Sequence, residues 1–230
     1  MLPNRCPSLR KAYPNAGFED WGTYSAKTSL GTKTVIFPGL GSEPTYWDSG
    51  NEGGATANKV LTDKSADMFN SGSFSARLAS TSAMGMLAAG NVFTGDYVKT
   101  DGINGVLSLG REYNGSHPDK VAVWANYRPG TVGIIKSGNE EFLPDNFKGQ
   151  LDHCQIYAAL TTAPIEIRTN PKNRKLFPVK SGDEDYDKVI AYGQITWTDA
   201  FGPDGALQRV EIPLEYRDRA ATDKPLYLVI

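Results

Sequence analysis

The sequence of 230 residues predicts an all-β fold, an antiparallel β-sandwich of about ten strands. Three observations support this prediction. Short runs of alternating apolar and polar residues recur along the chain. No stretch keeps a 3.6-residue apolar period for the length of a full helix. Finally, 24 Gly and 14 Pro provide frequent turn signals between the runs.

The clearest alternation lies in residues 206–217. Ile212 and Leu214 are expected to face the core while Glu211 faces solvent, which is typical of an antiparallel strand with one wet face. Pro213 interrupts the run, and because proline has no N–H to give to a neighbouring strand, it predicts a sheet edge or a bulge.

Two other long runs predict strands. In residues 120–127, Trp124 lies on the opposite face from Val121 and Val123. The residues of one face should therefore be exposed or covered by a loop. In residues 189–198, Trp197 shares a face with apolar residues and is expected in the core.

Further strands are predicted elsewhere, and only one segment, residues 62–68, suggests a turn or two of helix. Long loops are expected at residues 38–58, 137–150 and around 170–188, where binding residues often lie. The further strand candidates are residues 34–37, 74–79, 105–109, 132–136, 152–160, 165–168 and 226–230.

The bulk chemistry excludes several classes of protein. The net charge of −2, with Lys and Arg scattered, argues against nucleic acid and anionic membranes as partners. The sequence has no Gly-x-Ser-x-Gly elbow, P-loop or dinucleotide fingerprint. His117 and His153 lack zinc spacing. Cys6 and Cys154 could form one disulfide but not a disulfide framework, and the strand-like run around Cys154 favours a buried free thiol there. An uncharged partner and no organic cofactor are expected.

The termini shape the predicted domain organisation. We expect an N-terminal extension at residues 1–14 and one sandwich domain at residues 15–230. Neither a signal peptide nor an apolar run long enough to span a membrane is visible. The chain stops inside the strand-like segment 226–230, which suggests truncation of the domain.

The segment from Tyr46 to Ala55 (YWDSGNEGGA) is the most informative one. Its glycines and small polar residues favour turns and disfavour helix or core. Its Tyr and Trp offer flat apolar faces beside hydrogen-bonding groups, a combination that can hold a sugar ring. The alternative is a glycine-rich loop without a ligand, whose polar groups hydrogen-bond within the loop and whose Trp covers the core.

Several motifs resemble the putative carbohydrate metabolism domain (PCMD) of exported proteins from gut Bacteroidetes. They occur in the same order, at similar spacing, over nearly all of residues 15–230. These motifs are NAGFEDW at residues 15–21, YWDSGNEGG at 46–54, SARL at 75–78, AAGNVFTG at 88–95 and RP at 128–129.

The resemblance implies a jelly-roll β-sandwich similar to carbohydrate-binding modules. Its members tend to be lipoproteins or secreted, which implies an extracytoplasmic location at the cell surface or in the periplasm, with a glycan or other envelope proteins as partners. Members normally continue past the final strand seen here with a Ser-rich loop and an Asp-bearing strand, so the present chain departs from them at its end.

Residues 15–19 (NAGFE) also look like the first strand of galactose-binding modules, in which a Glu helps to hold a structural calcium ion. This likeness makes Glu19, and then Asn15, candidate calcium ligands, since carboxylate and amide oxygens suit that ion. The partner Asp of the last strand is absent here. The alternative is that the Glu19 carboxylate accepts hydrogen bonds from main-chain N–H groups.

Three functions remain open. The leading one is glycan binding by a non-catalytic or accessory protein, using Tyr46, Trp47, Asp48, Asn51, Glu52, Trp124 and Arg128. The second is glycoside hydrolysis by Asp48 and Glu52, with Glu52 made the acid by burial beside Trp47. The third is a structural or adhesive subunit whose aromatic residues face protein.

Overall fold

The computed structural model describes residues 13–83, 85–102, 104–134, 147–217 and 225–230. These residues contain one five-residue α-helix, α1 (Asn51–Ala55), and the single-turn 3₁₀ helices Pro171–Asn173 and Tyr186–Lys188. The strands are β1 (Trp21–Thr28), β2 (Gly31–Pro38), β3 (Trp47–Ser49), β4 (Thr62–Ser65), β5 (Ser75–Leu78), β6 (Thr81–Ala83), β7 (Met86–Ala88), β8 (Val92–Asp101), β9 (Asn104–Leu109), β10 (Arg111–Tyr113), β11 (Lys120–Ala125), β12 (Cys154–Thr161), β13 (Ile165–Arg168), β14 (Val189–Trp197), β15 (Gln208–Pro213), β16 (Glu215–Tyr216) and β17 (Leu226–Val229).

Two antiparallel sheets form the centre of the molecule. One has five strands in the order β10-β17-β12-β14-β16, and the other has four in the order β13-β9-β8-β3. The hairpins β1-β2, β4-β5 and β6-β7 and the ribbon β11-β15 add two strands each. This architecture confirms the predicted all-β antiparallel sandwich.

The five-stranded sheet is buried on both faces. On one face, Ala159 and Val229 pack with Phe93 and Leu109 of the four-stranded sheet. On the other, Leu160, Ile190 and Leu228 pack with Val121 of the β11-β15 ribbon. Consecutive residues of β12, from Ala158 to Thr161, are therefore buried, whereas a strand with one wet face would alternate.

The prediction for Pro213 is confirmed. Pro213 ends β15, which pairs with β11, and the next strand, β16, pairs with β14 instead. Proline stands where the chain leaves one sheet for another, so its missing N–H costs no ladder bond. Gly193 of β14 permits this crossing, since a Cβ there would collide with the carbonyl oxygen of Pro213.

Thr94 of β8 joins the two central sheets at the end of the chain. Its hydroxyl donates to the carbonyl of Leu228 at 2.9 Å and accepts the N–H of Ile230 at 3.0 Å. Its own N–H donates to the carbonyl of Ile230 at 3.2 Å. These bonds fix the start of β8, which carries two residues of the candidate site.

Some local predictions were wrong. Residues 62–68 contain strand β4 and no helix, because this segment pairs with β5. Strands β1 and β8 were missed, and the expected loop 38–58 contains β3 and α1. Of the expected strand 132–136, residues 132–134 are not in a strand, and 135–136 lie outside the described residues, as do 137–146 and most of the N-terminal extension.

Two features bear on the environment of the protein. The helices found in the described part of the chain are all too short and polar to cross a membrane. Cys154 is a half-buried free thiol in β12, and burial raises its pKa; Cys6 lies outside the described residues.

Candidate functional site

The Tyr46 to Ala55 segment is a short strand followed by a helical turn, and it contacts β8 and the β1-β2 hairpin. Strand β3 pairs with β8, which places Trp47 opposite Thr94 and Asp48 opposite Phe93. Helix α1 then packs through Ala55 against Ala26 and Val35 of the β1-β2 hairpin. Because an isolated five-residue helix is unstable in water, this packing holds the helix that the composition argued against.

Trp47 is a core residue. Its side chain is buried, with only 5% of the residue exposed, and its indole N–H donates to the carbonyl of Pro14 at 2.8 Å. The ring of Phe18 lies 5.0 Å away, centroid to centroid. A ring buried this deeply offers little surface to a sugar in this structure, so the stacking role of Trp47 stays a prediction that its burial does not favour.

Asn51 fastens α1 to its neighbours. Its carbonyl oxygen accepts the N–H groups of Leu61 and Thr62 at 2.7 and 2.9 Å. Its amide donates to the carbonyls of Ile36 and Thr62 at 2.9 and 2.6 Å. These four bonds use the donors and acceptors of a buried amide, which fits a structural role for Asn51, and its contact with a sugar stays a prediction.

The glycines of this segment are needed for space. None of Gly50, Gly53 and Gly54 has positive φ. A Cβ at Gly53 would lie 2.7 Å from the hydroxyl of Tyr97, and one at Gly54 would lie 2.8 Å from the carbonyl of Lys59. The close Lys59 carbonyl, and not a special turn conformation, therefore requires glycine at position 54, whereas a Cβ at position 53 would require the Tyr97 hydroxyl to move.

A cavity of about 590 Å³ lies beside this segment. The β1 strand provides one wall, the 42–44 loop another, and β3, α1 and β8 the base. Hydroxyls, carboxylates and two tyrosine rings dominate its lining. The lining residues are Thr23, Tyr24, Ser25, Ser42, Glu43, Pro44, Asp48, Glu52, Asp96 and Tyr97.

Glu52 and Tyr24 form the polar pair of the cavity. The phenol of Tyr24 donates to a carboxylate oxygen of Glu52 at 2.8 Å. Burial, this hydrogen bond and the nearby carboxylates of Asp48 and Glu52 all raise the pKa of Tyr24, so the phenol stays protonated. The Tyr24 hydroxyl of β1 therefore positions the Glu52 carboxylate of α1.

Asp48 lies deeper, with 4% of the residue exposed. One carboxylate oxygen accepts the N–H of Ser49 at 2.8 Å, and the other accepts the N–H of Tyr97 at 2.7 Å. Burial raises the pKa of Asp48 to about 6, against the lowering effect of these two bonds, and the charges of Asp96 and Glu52 add to the rise. The sequence-based hypothesis gave the acid role to Glu52, and the structure adds Asp48 as a carboxyl group whose pKa is raised by burial.

Arg111 supports the rim of the cavity. Its guanidinium binds both oxygens of Asp96, at 2.9 and 2.5 Å. It also donates to the carbonyls of Gly95 at 2.6 Å and Tyr46 at 3.1 Å. A planar fork that reaches a carboxylate and two carbonyls at once holds β8 against the residue before β3.

Tyr46 belongs to this support and does not line the cavity. Its half-buried ring lies 5.6 Å from the ring of Trp47 and 6.4 Å from that of Tyr13. Burial raises the pKa of Tyr46 to about 12, although the charge of Arg111 opposes the rise. The described geometry places Tyr46 in an aromatic cluster beneath the rim.

Trp124 and Arg128 lie elsewhere in the fold. Trp124 is 47% exposed on β11, opposite Arg209 of β15. Arg128 donates to the carbonyls of Phe201 and Gly202 and to Asp204, at 2.9, 3.1 and 2.6 Å. Neither residue lines the cavity, so the structure does not bring the seven predicted sugar contacts together.

Glu19 and Asn15 both bond to main-chain groups. The Glu19 carboxylate accepts the N–H of Ser73 at 3.0 Å and that of Phe74 at 3.2 Å. The Asn15 side chain exchanges two bonds with the main chain of Asp20. The part of the chain that the structure describes contains no group of three or more His, Cys, Asp or Glu that could hold a metal. These contacts fit acceptors of main-chain N–H groups better than metal ligands, and calcium at Glu19 remains a prediction.

The sequence prediction missed Tyr24, Ser25, Asp96 and Tyr97 as residues of the site. All lie on β1 and β8, two of the strands that went unrecognised. A signal existed in β1, where exposed residues at positions 23, 25 and 27 alternate with more buried ones. Strand β8 gave no such signal, because it is buried at consecutive positions near its start.

Comparison with known families agrees with the fold and with the motifs. A family model described as the putative carbohydrate metabolism domain (PCMD) matches residues 17–230. Searches among curated proteins and among solved structures found no match. A match over nearly the whole chain establishes membership: the chain belongs to the PCMD family.

Proposed function

We propose that this protein binds a carbohydrate in the cavity between β1, the 42–44 loop and α1. The Tyr24–Glu52 pair is the observation that carries the proposal, since it presents an ordered carboxylate and an aromatic ring in an open, hydroxyl-rich cavity. The carbohydrate-related description of the family supports the same conclusion.

The chemistry of the lining suits a sugar. A carboxylate accepts hydrogen bonds from sugar hydroxyls, and the Ser25 and Ser42 hydroxyls can both donate and accept. The tyrosine rings of Tyr24 and Tyr97 add apolar surface for C–H groups. The volume of about 590 Å³ lies in the range of small-molecule sites and would hold a few sugar units.

Hydrolysis of a glycan by Asp48 and Glu52 is the second candidate. The raised pKa of Asp48, about 6, favours it, because a general acid must keep its proton near neutral pH. Against it, both Asp48 oxygens already accept main-chain N–H groups, and the residue is almost fully buried. Binding without catalysis fits this geometry better. Release of reducing sugar, measured for the wild type and for Asp48→Asn, separates the two.

The place of action is also proposed. The resemblance to exported proteins supports an extracytoplasmic site, at a bacterial surface or in the periplasm, where glycans are accessible. A structural or adhesive role would instead use exposed aromatic surface such as Trp124. A pull-down from envelope extract with the wild type and with Trp124→Ala tests that role.

A glycan array followed by calorimetry on its best ligand tests the binding proposal. The variants are Glu52→Ala, Tyr24→Phe and, as the matched control, Glu112→Ala, which changes an exposed glutamate of β10 outside the cavity. Loss of a charged hydrogen bond costs about 1.5–3 kcal/mol, so Glu52→Ala should weaken binding roughly 10- to 150-fold. Tyr24→Phe should weaken it less, and Glu112→Ala should leave it unchanged.

Two results would overturn the proposal. One is the absence of binding to any glycan by a protein whose circular dichroism shows an intact β fold. The other is tight binding that survives both cavity variants, which would locate the sugar elsewhere.

A further inference from the structure

We propose that the cavity accepts glycans that are neutral or carry free amines and discriminates against glycans bearing carboxylates or sulfates. The inference rests on the proposed glycan-binding function and names the class of ligand for the same cavity.

The charges of the lining carry this inference. Four of the lining residues are carboxylates: Glu43 on the loop, Asp48 on β3, Glu52 on α1 and Asp96 on β8. None of the described residues that line the cavity is Lys, Arg or His. A ligand in the cavity therefore faces negative charge from several sides.

Arg111, which pairs with the lining residue Asp96, is already engaged. Arg111 does not line the cavity, and it directs both of its terminal nitrogens at Asp96 and one of them also at the carbonyl of Gly95. Its Nε donates to the carbonyl of Tyr46. The guanidinium neutralises Asp96, which leaves the other three carboxyls without a basic partner in the lining.

Hydrogen-bond chemistry leads to the same conclusion as charge. An ionised carboxylate can only accept, so it pairs with a hydroxyl or an ammonium group and has no donor for a sulfate or carboxylate oxygen. In addition, a like charge about 5 Å away lowers affinity roughly fourfold even across water, and more where protein displaces water. The lining carboxylates therefore disfavour an acidic sugar through both charge and hydrogen bonding, whereas the lining hydroxyls can bond to either kind of sugar.

The test uses matched pairs of glycans that share a backbone. The probes are chitin and chitosan hexasaccharides, methyl-esterified and free oligogalacturonates, and unsulfated and sulfated galactans, presented together with a general array in EDTA. We expect every glycan whose binding is lost in the Glu52→Ala variant to be neutral or amine-bearing. We also expect Glu43→Gln, a change at an exposed loop residue, to raise the affinity of acidic members relative to neutral ones by roughly 3- to 10-fold in competition. Glu112→Gln should leave that ratio unchanged.

The outcomes separate this inference from the function on which it rests. If no glycan binds, the proposed function fails and this inference fails with it. If an acidic glycan binds as tightly as its neutral counterpart and Glu52→Ala abolishes that binding, the function stands and the discrimination is overturned. If Glu43→Gln and Glu112→Gln shift the ratio equally, the charge of the lining is not its cause.

Discussion

The β3–α1 segment and the β11-β15 ribbon each carry a tryptophan that the sequence offered as a sugar platform, but the fold treats them in opposite ways. Trp47 is 5% exposed beneath the sheet edge, whereas Trp124 is 47% exposed on a two-stranded ribbon. The segment rich in glycine and polar residues is the buried one, and its polar groups are mostly bonded to main chain. Composition therefore identified chemistry that could bind a sugar, but burial decided which of those groups can reach a ligand.

The largest expected effect tests that contrast directly. Trp47→Ala should lower the free energy of unfolding by about 3–5 kcal/mol, because it empties a packed site and removes the bond to Pro14. Urea unfolding followed by circular dichroism measures the change, and Trp47→Phe serves where the alanine variant does not fold. Trp124→Ala is the control and should stay within about 0.5 kcal/mol of the wild type.

The two tryptophans also separate binding from stability. Trp124→Ala should leave glycan affinity unchanged if the cavity is the binding site. A large loss of affinity in that variant, at unchanged stability, would instead locate the glycan on the β11-β15 ribbon and not in the cavity.

A smaller effect is expected from Asn51→Ala. It removes four hydrogen bonds to main-chain groups of β2, β4 and the residue before β4, and lost bonds to buried groups are costly, so we expect a loss of about 3 kcal/mol. The same measurement on Asn114→Ala, which changes an exposed asparagine, should show almost no loss. A loss below about 1 kcal/mol at Asn51 would mean that water or a local shift replaces these bonds.

The pH dependence of stability should show the burial of Asp48. Its pKa is raised from 3.8 to about 6, so the folded state holds the proton more tightly than the unfolded chain. This contribution to stability is fully present below pH 4 and is lost as pH rises through about 6, a change on the order of 3 kcal/mol.

Asp48→Asn isolates this contribution. The free energy of unfolding of the variant, measured from pH 4 to 7, should lack the decline. Asp185 and Glu211, whose pKa values are lowered by ion pairs, act in the opposite direction in both proteins and cancel in the difference. If the free energy of unfolding changes equally with pH in the two proteins, burial does not raise the pKa of Asp48.

Much of the fold could be predicted because many strands have one wet face. Such strands alternate, and β11 and the second half of β14 show this alternation between exposed and more buried residues. Strands β4 and β8 were missed, since a short exposed hairpin strand and a strand buried at consecutive positions carry no period of two. Of the candidate site, Asp48 and Glu52 were predicted, whereas Tyr24, Asp96 and Tyr97 were not.

The sequence alone determined that the protein is an antiparallel β-sandwich of the PCMD family, because alternation, turn residues and motif order are local properties of the chain. Only the tertiary structure decided what the Tyr46 to Ala55 segment does. Its glycines admit Tyr97 and Lys59, its Asn bonds to two strands, and its Trp fills the core. Burial depends on which distant strands arrive on each side, and that information is not contained in ten consecutive residues.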